Sequence, residues 1–173
     1  MIVMMMGVTG CGKTTIGTLL AERLGCGFSD ADGLHPAVNV EKMRAGIPLQ
    51  DEDRWPWLAA LRTAIDNWQA GKVDHVVACS ALKQVYRDVL SPKSDVIFVF
   101  LKGSAATIGP RLNARKGHYM NPALLDSQFA TLEEPVDALT VDIGGTPEEI
   151  VADILEIERR RATERRPCSI IFT

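Results

Sequence analysis

Short apolar runs alternate along the chain with longer stretches in which apolar residues recur at helical spacing. Five runs have the length of strands, at residues 2–6, 27–30, 75–79, 96–101 and 138–142. The third and fourth are almost continuously apolar and rich in β-branched residues, which is typical of strands buried on both faces of a parallel sheet. The pattern therefore predicts an α/β fold built on a sheet of five parallel strands.

The stretches between these runs predict helices over residues 13–24, 36–45, 56–70, 81–90, 105–115 and 122–132. A last helix is expected from Thr146 to about Arg161, because Thr146, Pro147 and Glu149 match an N-cap, a proline at the first helical position and a capping box. Strands that alternate with crossover helices form right-handed units around a parallel sheet. We therefore expect three layers, with helices on both faces of the sheet.

Length, charge and cysteine spacing indicate how many domains the chain has and which partners it lacks. The chain of 173 residues fits a single domain over residues 1–173, and 19 basic against 22 acidic residues give a net charge of −3, which argues against a nucleic-acid partner. The four cysteines are too scattered for a zinc site, and the apolar run at residues 1–6 is too short for a signal peptide or a membrane span. We expect a cytoplasmic protein with no membrane partner and a flexible tail beyond about residue 161.

Residues 7–14 read GVTGCGKT and match the phosphate-loop pattern G-x-x-x-x-G-K-[ST] between the first strand and the first helix. The glycines of this loop let successive backbone N–H groups converge on phosphate oxygens, and the helix N-terminus adds partial positive charge. Lys13 is expected to reach the β- and γ-phosphates, and the Thr14 hydroxyl is expected to bind Mg²⁺. The loop predicts a nucleotide-phosphate site.

GTPases and mechanical ATPases fit the sequence less well. The chain has no N-K-x-D motif for reading guanine, and its D-x-x-G match at residues 142–145 follows the last predicted strand instead of the third. The third strand ends in VVACS, without the acidic residue of a Walker B strand. Another carboxylate must therefore hold the water shell of the metal.

Asp30 and Asp32 stand at the carboxyl end of the second predicted strand, the edge at which open parallel sheets bind ligands. One of the two carboxylates can orient metal-bound water while the other accepts a proton from an attacking hydroxyl. The pair predicts kinase chemistry beside the phosphate loop.

Basic residues are expected at the same edge. Arg111 and Arg115 are spaced i, i+4 before a short loop, which predicts a lid that closes over the triphosphate. Lys83 and Arg87 form a second such pair after the third strand, and Arg54 precedes the third helix. We expect these cations to converge on one rim.

The same stretches resemble the gluconate kinases, or gluconokinases, a family of P-loop small-molecule kinases related to shikimate and adenylate kinases. The matching blocks are GVTGCGKTT from residue 7, DADGLHP at 30–36, NVEKMRAGIPLQDEDRWPWL at 39–58, CSALKQVYRD at 79–88, LNARKGHYM at 112–120 and QFATLEEP at 128–135. The resemblance implies transfer of the γ-phosphoryl group of ATP to the 6-hydroxyl of D-gluconate with Mg²⁺. It also implies a P-loop kinase fold with a small mobile lid, at about residues 115–128, and a homodimer.

The resemblance also implies roles for single residues. Asp32 resembles the residue that activates the sugar hydroxyl, Asp30 the carboxylate that holds metal-bound water, and Arg111 the arginine that stacks on adenine. Lys13 and Arg115 resemble the cations that act on the transferred phosphoryl group. The nucleotide loop would comprise Gly7, Val8, Thr9, Gly10, Cys11, Gly12, Lys13, Thr14 and Thr15. The acceptor side would comprise Asp32, His35, Arg54, Lys83, Arg87 and His118.

Two other functions fit the same residues. A kinase for shikimate or another small hydroxy acid would use Asp32 and a cluster of arginines in the same way. A nucleotide-binding regulator without catalysis would keep the phosphate loop, although the intact Lys13, Thr14, Asp32 and Arg115 argue against it.

Overall fold

A computed structural model of the chain describes residues 1–114 and 124–164. Five strands form one sheet: β1 (Ile2–Met6), β2 (Gly27–Asp30), β3 (His75–Ala78), β4 (Ile97–Lys102) and β5 (Leu139–Asp142). The strand order is β2-β3-β1-β4-β5, and every neighbouring pair is parallel. The predicted five-stranded parallel sheet is confirmed, with bounds that differ from prediction by one residue at one end of β3 and β5 and at both ends of β4.

Helices cover both faces of this sheet. They are α1 (Lys13–Leu24), α2 (Ala37–Arg44), α3 (Asp51–Ala70), α4 (Gln84–Leu90), α5 (Ala105–Ala114), α6 (Leu124–Thr131) and α7 (Pro147–Glu164). A short 3-10 turn, Ala31–Leu34, follows β2 and leads into α2. None of the described helices is both long and apolar enough to span a membrane.

The central strand β1 supplies both halves of the core, because all five of its residues are buried. Val3 and Met5 pack into one cluster with residues of α1 and α7, while Met4 and Met6 pack into a second cluster with residues of α3 and α4. Burial of an apolar side chain of this size contributes about 1.5–3 kcal/mol. Alternate side chains of β1 therefore pack against helices on opposite faces of the sheet.

Two predicted helix starts are wrong, for local reasons. Helix α3 begins at Asp51, ahead of the predicted start at Pro56, because the Asp53 carboxylate accepts a hydrogen bond from the Gln50 N–H at 3.0 Å and caps the helix there. Pro56 therefore lies in the second turn. Helix α4 begins at Gln84, later than predicted, because Ala81 has a φ of 45°, a left-handed value that a helix cannot include.

The last helix begins as predicted. The Thr146 hydroxyl accepts a hydrogen bond from the Glu149 N–H at 3.3 Å, and the Glu149 carboxylate accepts one from the Thr146 N–H at 2.8 Å. The helix continues to Glu164, beyond its predicted end. Residues 165–173, the remainder of the tail expected to be flexible, lie outside the described residues.

Gly17 lies where α1 comes closest to the sheet. A Cβ at this position would lie 2.7 Å from Phe28 Cε2 and 3.2 Å from Met5 Cγ. We expect Gly17→Ala to lower the free energy of unfolding by about 1–3 kcal/mol, because the overpacking outweighs the roughly 1 kcal/mol of helix propensity gained. Thr18→Ala, at the next and exposed position, is the matched control and should change that free energy by less than about 0.5 kcal/mol. Urea denaturation measures both, and equal stability of the two variants would contradict the close packing.

Candidate active site

The loop between β1 and α1 has the backbone of a phosphate cradle. Gly7, Gly10 and Gly12 have φ values of 139°, 79° and 102°, which side-chain-bearing residues rarely adopt. The Lys13 ammonium folds back over the loop and donates to the carbonyl oxygens of Gly7 and Val8, each at 3.0 Å. The backbone N–H groups and one cation are therefore held at the N-terminus of α1, where anions bind favourably.

Helix α5 packs directly against this loop at Gly10. A Cβ on Gly10 would lie 2.6 Å from Leu112 Cγ and 2.9 Å from Ile108 Cγ2, so only glycine allows this approach. The contact places Arg111 beside the loop, where its Nη2 donates to the Ile143 carbonyl oxygen at 2.9 Å. Arg111 lines a small pocket with Cys11, Thr15, Gly145 and Pro147. This pocket joins the phosphate loop to the loop after β5.

Oxygen atoms of Thr14 and Asp30 lie side by side next to the phosphate loop. The Thr14 hydroxyl donates to Asp30 Oδ2 at 2.8 Å, close to the roughly 2.9 Å between neighbouring corners of an octahedron with Mg–O bonds of 2.0–2.1 Å. No group of three or more His, Cys, Asp or Glu side chains that could hold a metal occurs within residues 1–114 and 124–164. A Mg²⁺ ion here would thus depend on this oxygen pair together with nucleotide phosphates, as is common for this ion.

Asp30 also positions Asp32. The Asp30 carboxylate accepts a hydrogen bond from the Asp32 N–H at 3.1 Å and so caps the 3-10 turn that follows β2. This turn brings the Asp32 side chain to the wall of the same crevice that the phosphate loop lines. The two carboxylates thus share one site, with Asp30 beside the Thr14 hydroxyl.

One crevice unites the phosphate loop with most of the predicted acceptor residues. His35, Arg54 and Lys83 line it together with Asp32 and Lys13. They come from the 3-10 turn, the first turn of α3 and the N-cap of α4. The structure brings these side chains together, while the roles given to them stay predictions.

His35 lines this crevice, and one of its ring nitrogens is buried and unpaired. Its ring stacks on Trp57 with 4.2 Å between the ring centroids, and its Nδ1 atom is buried without a hydrogen-bond partner. Burial, and secondarily the nearby Arg54 charge, lower the pKa of His35 to about 4. The imidazole is therefore neutral near pH 7.

Arg87 does not reach the crevice, contrary to the predicted convergence of cations. Only about 4% of this residue is exposed, and its Nη1 donates to the carbonyl oxygens of Ala81 and Leu82 at 2.9 and 3.1 Å. Lys83 and Arg87 do not lie on one helix face, because Lys83 is the N-cap of α4 and not a helical residue. Arg87 stabilises the loop that precedes α4. Arg115 and His118 lie outside the described residues.

A family model, curated relatives and a solved structure all match this chain to related kinases. A model of the shikimate kinase family matches residues 9–158. The chain is 45% identical over 168 residues to a probable gluconokinase of Dictyostelium discoideum, covering 89% of this chain and 84% of that protein. It is 42% identical over 164 residues to the thermoresistant gluconokinase of Escherichia coli (strain K12), covering 92% and 94%. The crystal structure of a gluconokinase from Sinorhizobium meliloti 1021 matches with a TM-score of 0.81 and 39% identity over 95% of this chain and 97% of that one.

The chain belongs to the gluconokinase family. As a P-loop kinase of this family it is a nucleotide-using phosphotransferase with an alcohol acceptor. The resemblance stated from the sequence motifs, and the P-loop kinase fold expected with it, are both confirmed.

In this gluconokinase-family chain Gln128 contacts the phosphate loop, although it was not among the predicted site residues. Its Oε1 accepts a hydrogen bond from the Thr9 N–H at 2.6 Å, and helix α6 also lines the crevice through Ser127 and Thr131. The available signal was the position of Gln128 at the start of the QFATLEEP block. Gln128 thus occupies one backbone N–H group of the cradle.

We expect Gln128→Ala to bind ATP about 2–10 times more tightly, because the nucleotide no longer displaces a hydrogen bond worth roughly 0.5–1.5 kcal/mol. Gln128→Glu should bind ATP more weakly than wild type, because its carboxylate would repel the phosphates. Isothermal titration calorimetry measures both, with Ser127→Ala as the neighbouring control. Weaker ATP binding by Gln128→Ala would contradict a displaced contact and would indicate a direct bond from Gln128 to the nucleotide.

Proposed function

We propose that this chain is a gluconokinase, which transfers the γ-phosphoryl group of ATP to the 6-hydroxyl of D-gluconate and forms 6-phospho-D-gluconate and ADP. The observation that carries the proposal is one crevice in which a phosphate loop, a carboxylate pair and two cations meet. An anionic polyol needs all three, because its hydroxyl must be activated near the phosphates while its own carboxylate is bound by fixed positive charge. Membership of the gluconokinase family supports the same acceptor.

Asp32 accepts the proton of the attacking 6-hydroxyl in this proposal. Asp32 lies on the turn that Asp30 caps, beside the phosphate loop. The carboxylate that contacts Thr14 is that of Asp30, so the Asp32 carboxylate serves the acceptor. Lys13 and Arg115 stabilise the negative charge that develops on the transferred phosphoryl oxygens. Mg²⁺, held by Thr14 and by Asp30 or water bound to it, would neutralise charge on the β- and γ-phosphates.

The acceptor is bound at the other residues of the crevice. Arg54 and Lys83 bind the gluconate carboxylate, a task that suits the planar guanidinium of arginine in particular. The side chains of His35 and His118 bind sugar hydroxyls. Arg111 stacks on the adenine in the pocket beside the loop after β5, and the segment at about residues 115–128 closes over the bound substrates to exclude water.

Shikimate is the alternative acceptor, because the matching family model is that of shikimate kinase. Shikimate is also a small hydroxy acid, and the same Asp32 and cations would serve it. Its ring makes it rigid, whereas gluconate is an open chain with more hydroxyl groups to bind. Relative turnover decides between the two acceptors.

A coupled assay of ADP release tests the proposal. With purified protein and Mg·ATP we expect D-gluconate to give the highest kcat/KM among sugar acids, shikimate and nucleoside monophosphates. Phosphorus NMR of the product should show a phosphate ester on carbon 6. Absence of gluconate-dependent turnover would overturn the proposal, and tight ATP binding without transfer to any acceptor would favour a nucleotide-binding regulator.

Substitution of the two neighbouring aspartates should separate their roles. We expect Asp32→Asn to lower kcat by about 10²–10⁴-fold, the usual contribution of a general base, with the affinity for ATP within about twofold of wild type. Asp30→Asn should instead weaken Mg²⁺-dependent ATP binding together with turnover. Steady-state kinetics and calorimetry at several Mg²⁺ concentrations measure both effects. Equal losses of ATP affinity and kcat in Asp32→Asn would assign Asp32 to the metal or to the fold.

Three further expectations belong to the proposal. The enzyme is a single domain over residues 1–173 and acts in the cytoplasm. It forms a homodimer, which the resemblance to gluconate kinases implies. Its substrates are small molecules, with no nucleic-acid or membrane partner.

A further inference from the structure

The two cations proposed to bind the acceptor share one carboxylate, that of Asp51. The Lys83 ammonium lies 2.8 Å from both oxygens of Asp51, and Arg54 Nη1 lies 3.8 Å from Asp51 Oδ1. Asp51 lines the crevice beside both cations. It is the first residue of α3, so its charge also faces the positive N-terminal end of that helix.

Tyr86 contacts all three of these side chains, Asp51, Arg54 and Lys83. Its hydroxyl donates to Asp51 Oδ1 and accepts from Arg54 Nη1 at 3.0 Å. Arg54 Cζ and Lys83 Nζ lie 5.5 and 5.6 Å from the centre of the Tyr86 ring, within the range of a cation–π contact. Only about 2% of Tyr86 is exposed, so the ring is a fixed support for both cations.

The protonation states of this group follow from its contacts. Hydrogen bonds from Lys83 and Tyr86 hold the pKa of Asp51 below its ordinary value, and the bond to Asp51 raises the pKa of Lys83. Burial, with the bond to Asp51, raises the pKa of the Tyr86 phenol. Near pH 7 the group therefore holds one carboxylate, two cations and a neutral phenol.

The group thus has one net positive charge. The neighbouring pair Lys42 and Asp53, whose charged atoms lie 2.7 Å apart, adds none, and His35 is neutral. The other charged side chains that line the crevice, Lys13, Asp30 and Asp32, belong to the phosphate-transfer end. A ligand with one carboxylate matches this charge, whereas a ligand with two would not.

We propose that Asp51 is a specificity-determining residue that sets the charge of the acceptor site to accept a monocarboxylate and disfavour a dianion, and that Tyr86 is the positioning residue for both cations. The inference rests on the proposed function, in which Arg54 and Lys83 bind the acceptor carboxylate. Asp51 also holds the two cations in place before the acceptor arrives, which lowers the ordering cost of binding.

Three ligands with the same six-carbon skeleton test the charge match: neutral D-glucitol, the monoanion D-gluconate and the dianion D-glucarate. D-Glucarate carries a carboxylate in place of the 6-hydroxymethyl group and has no 6-hydroxyl, so it is measured as a competitive inhibitor against D-gluconate. In Asp51→Asn the group gains a second net positive charge. We expect the ratio of the Ki of D-glucarate to the KM of D-gluconate to fall about tenfold, since one unit charge near a protein surface acts on this scale.

Glu52→Gln is the matched control, because Glu52 lies exposed on the same first turn of α3 and also loses one negative charge. Its ratio should stay within twofold of wild type. Asp51→Glu should restore the wild-type ratio. A ratio in Asp51→Asn equal to that in Glu52→Gln would overturn the assignment of Asp51.

A double variant that loses one negative and one positive charge keeps the test decisive even if Asp51→Asn is unstable. Lys83→Gln alone leaves no net charge and should reduce the preference for D-gluconate over D-glucitol, measured as kcat/KM. The double variant Asp51→Asn with Lys83→Gln again holds one net positive charge on Arg54, and should regain part of that preference. A purely structural role for Asp51 predicts the opposite, a double variant worse than either single variant.

Tyr86→Phe keeps the ring and removes the hydroxyl. We expect it to raise the KM of D-gluconate several-fold with a smaller change in kcat, while the ratio for D-glucarate stays near wild type because no charge is lost. A changed ratio would overturn the positioning role. Wild-type turnover of D-gluconate with an unmoved ratio in Asp51→Asn overturns this inference alone, whereas no wild-type turnover overturns the proposed function itself.

Discussion

The backbone N–H groups at the start of α1 must point into one cavity, and the rest of the site depends on that constraint. Left-handed φ values at glycines permit it, and the missing side chain of Gly10 then lets Ile108 and Leu112 of α5 pack against the loop. The Gly7 N–H donates to the Ser80 carbonyl oxygen at 3.3 Å, which ties the loop to the segment before α4. A conformation required for phosphate binding thereby positions two neighbouring elements that carry Arg111 and Lys83.

Every cation that the structure describes in the proposed site is held by the protein before a ligand binds. Lys13 is held by loop carbonyls, Arg111 by the Ile143 carbonyl, and Lys83 by Asp51. Held charges need little reorganisation when negative charge develops, and this is the condition under which such groups assist catalysis most. The net charge of −3 therefore says little about the site, because the field a ligand meets is set by these local pairs.

The sequence was most informative where the relevant physics is local. The bounds of β1, β2 and α1 agree with prediction, because a buried apolar run, a glycine turn and a helical period are each readable within a dozen residues. Spacing misled at Arg87, since the i, i+4 rule holds only inside a helix and the extended backbone of Lys83 leaves that residue outside α4. Likewise, α3 begins ahead of Pro56, the predicted start, because Asp53 caps the helix at its earlier residues.

The sequence by itself determined the parallel α/β architecture, the phosphate loop, the carboxylate pair at the end of β2 and the resemblance to gluconate kinases, because short motifs and periodicity specify them. Only the tertiary structure decided that Gln128 contacts the phosphate loop from 119 positions away, and that Asp51 and Tyr86 join Arg54 and Lys83 in one charge group. Such contacts depend on how the chain returns across the sheet after α3 and α5. A side chain's partners, and hence its charge and role, are set by packing between distant elements, which no local pattern records.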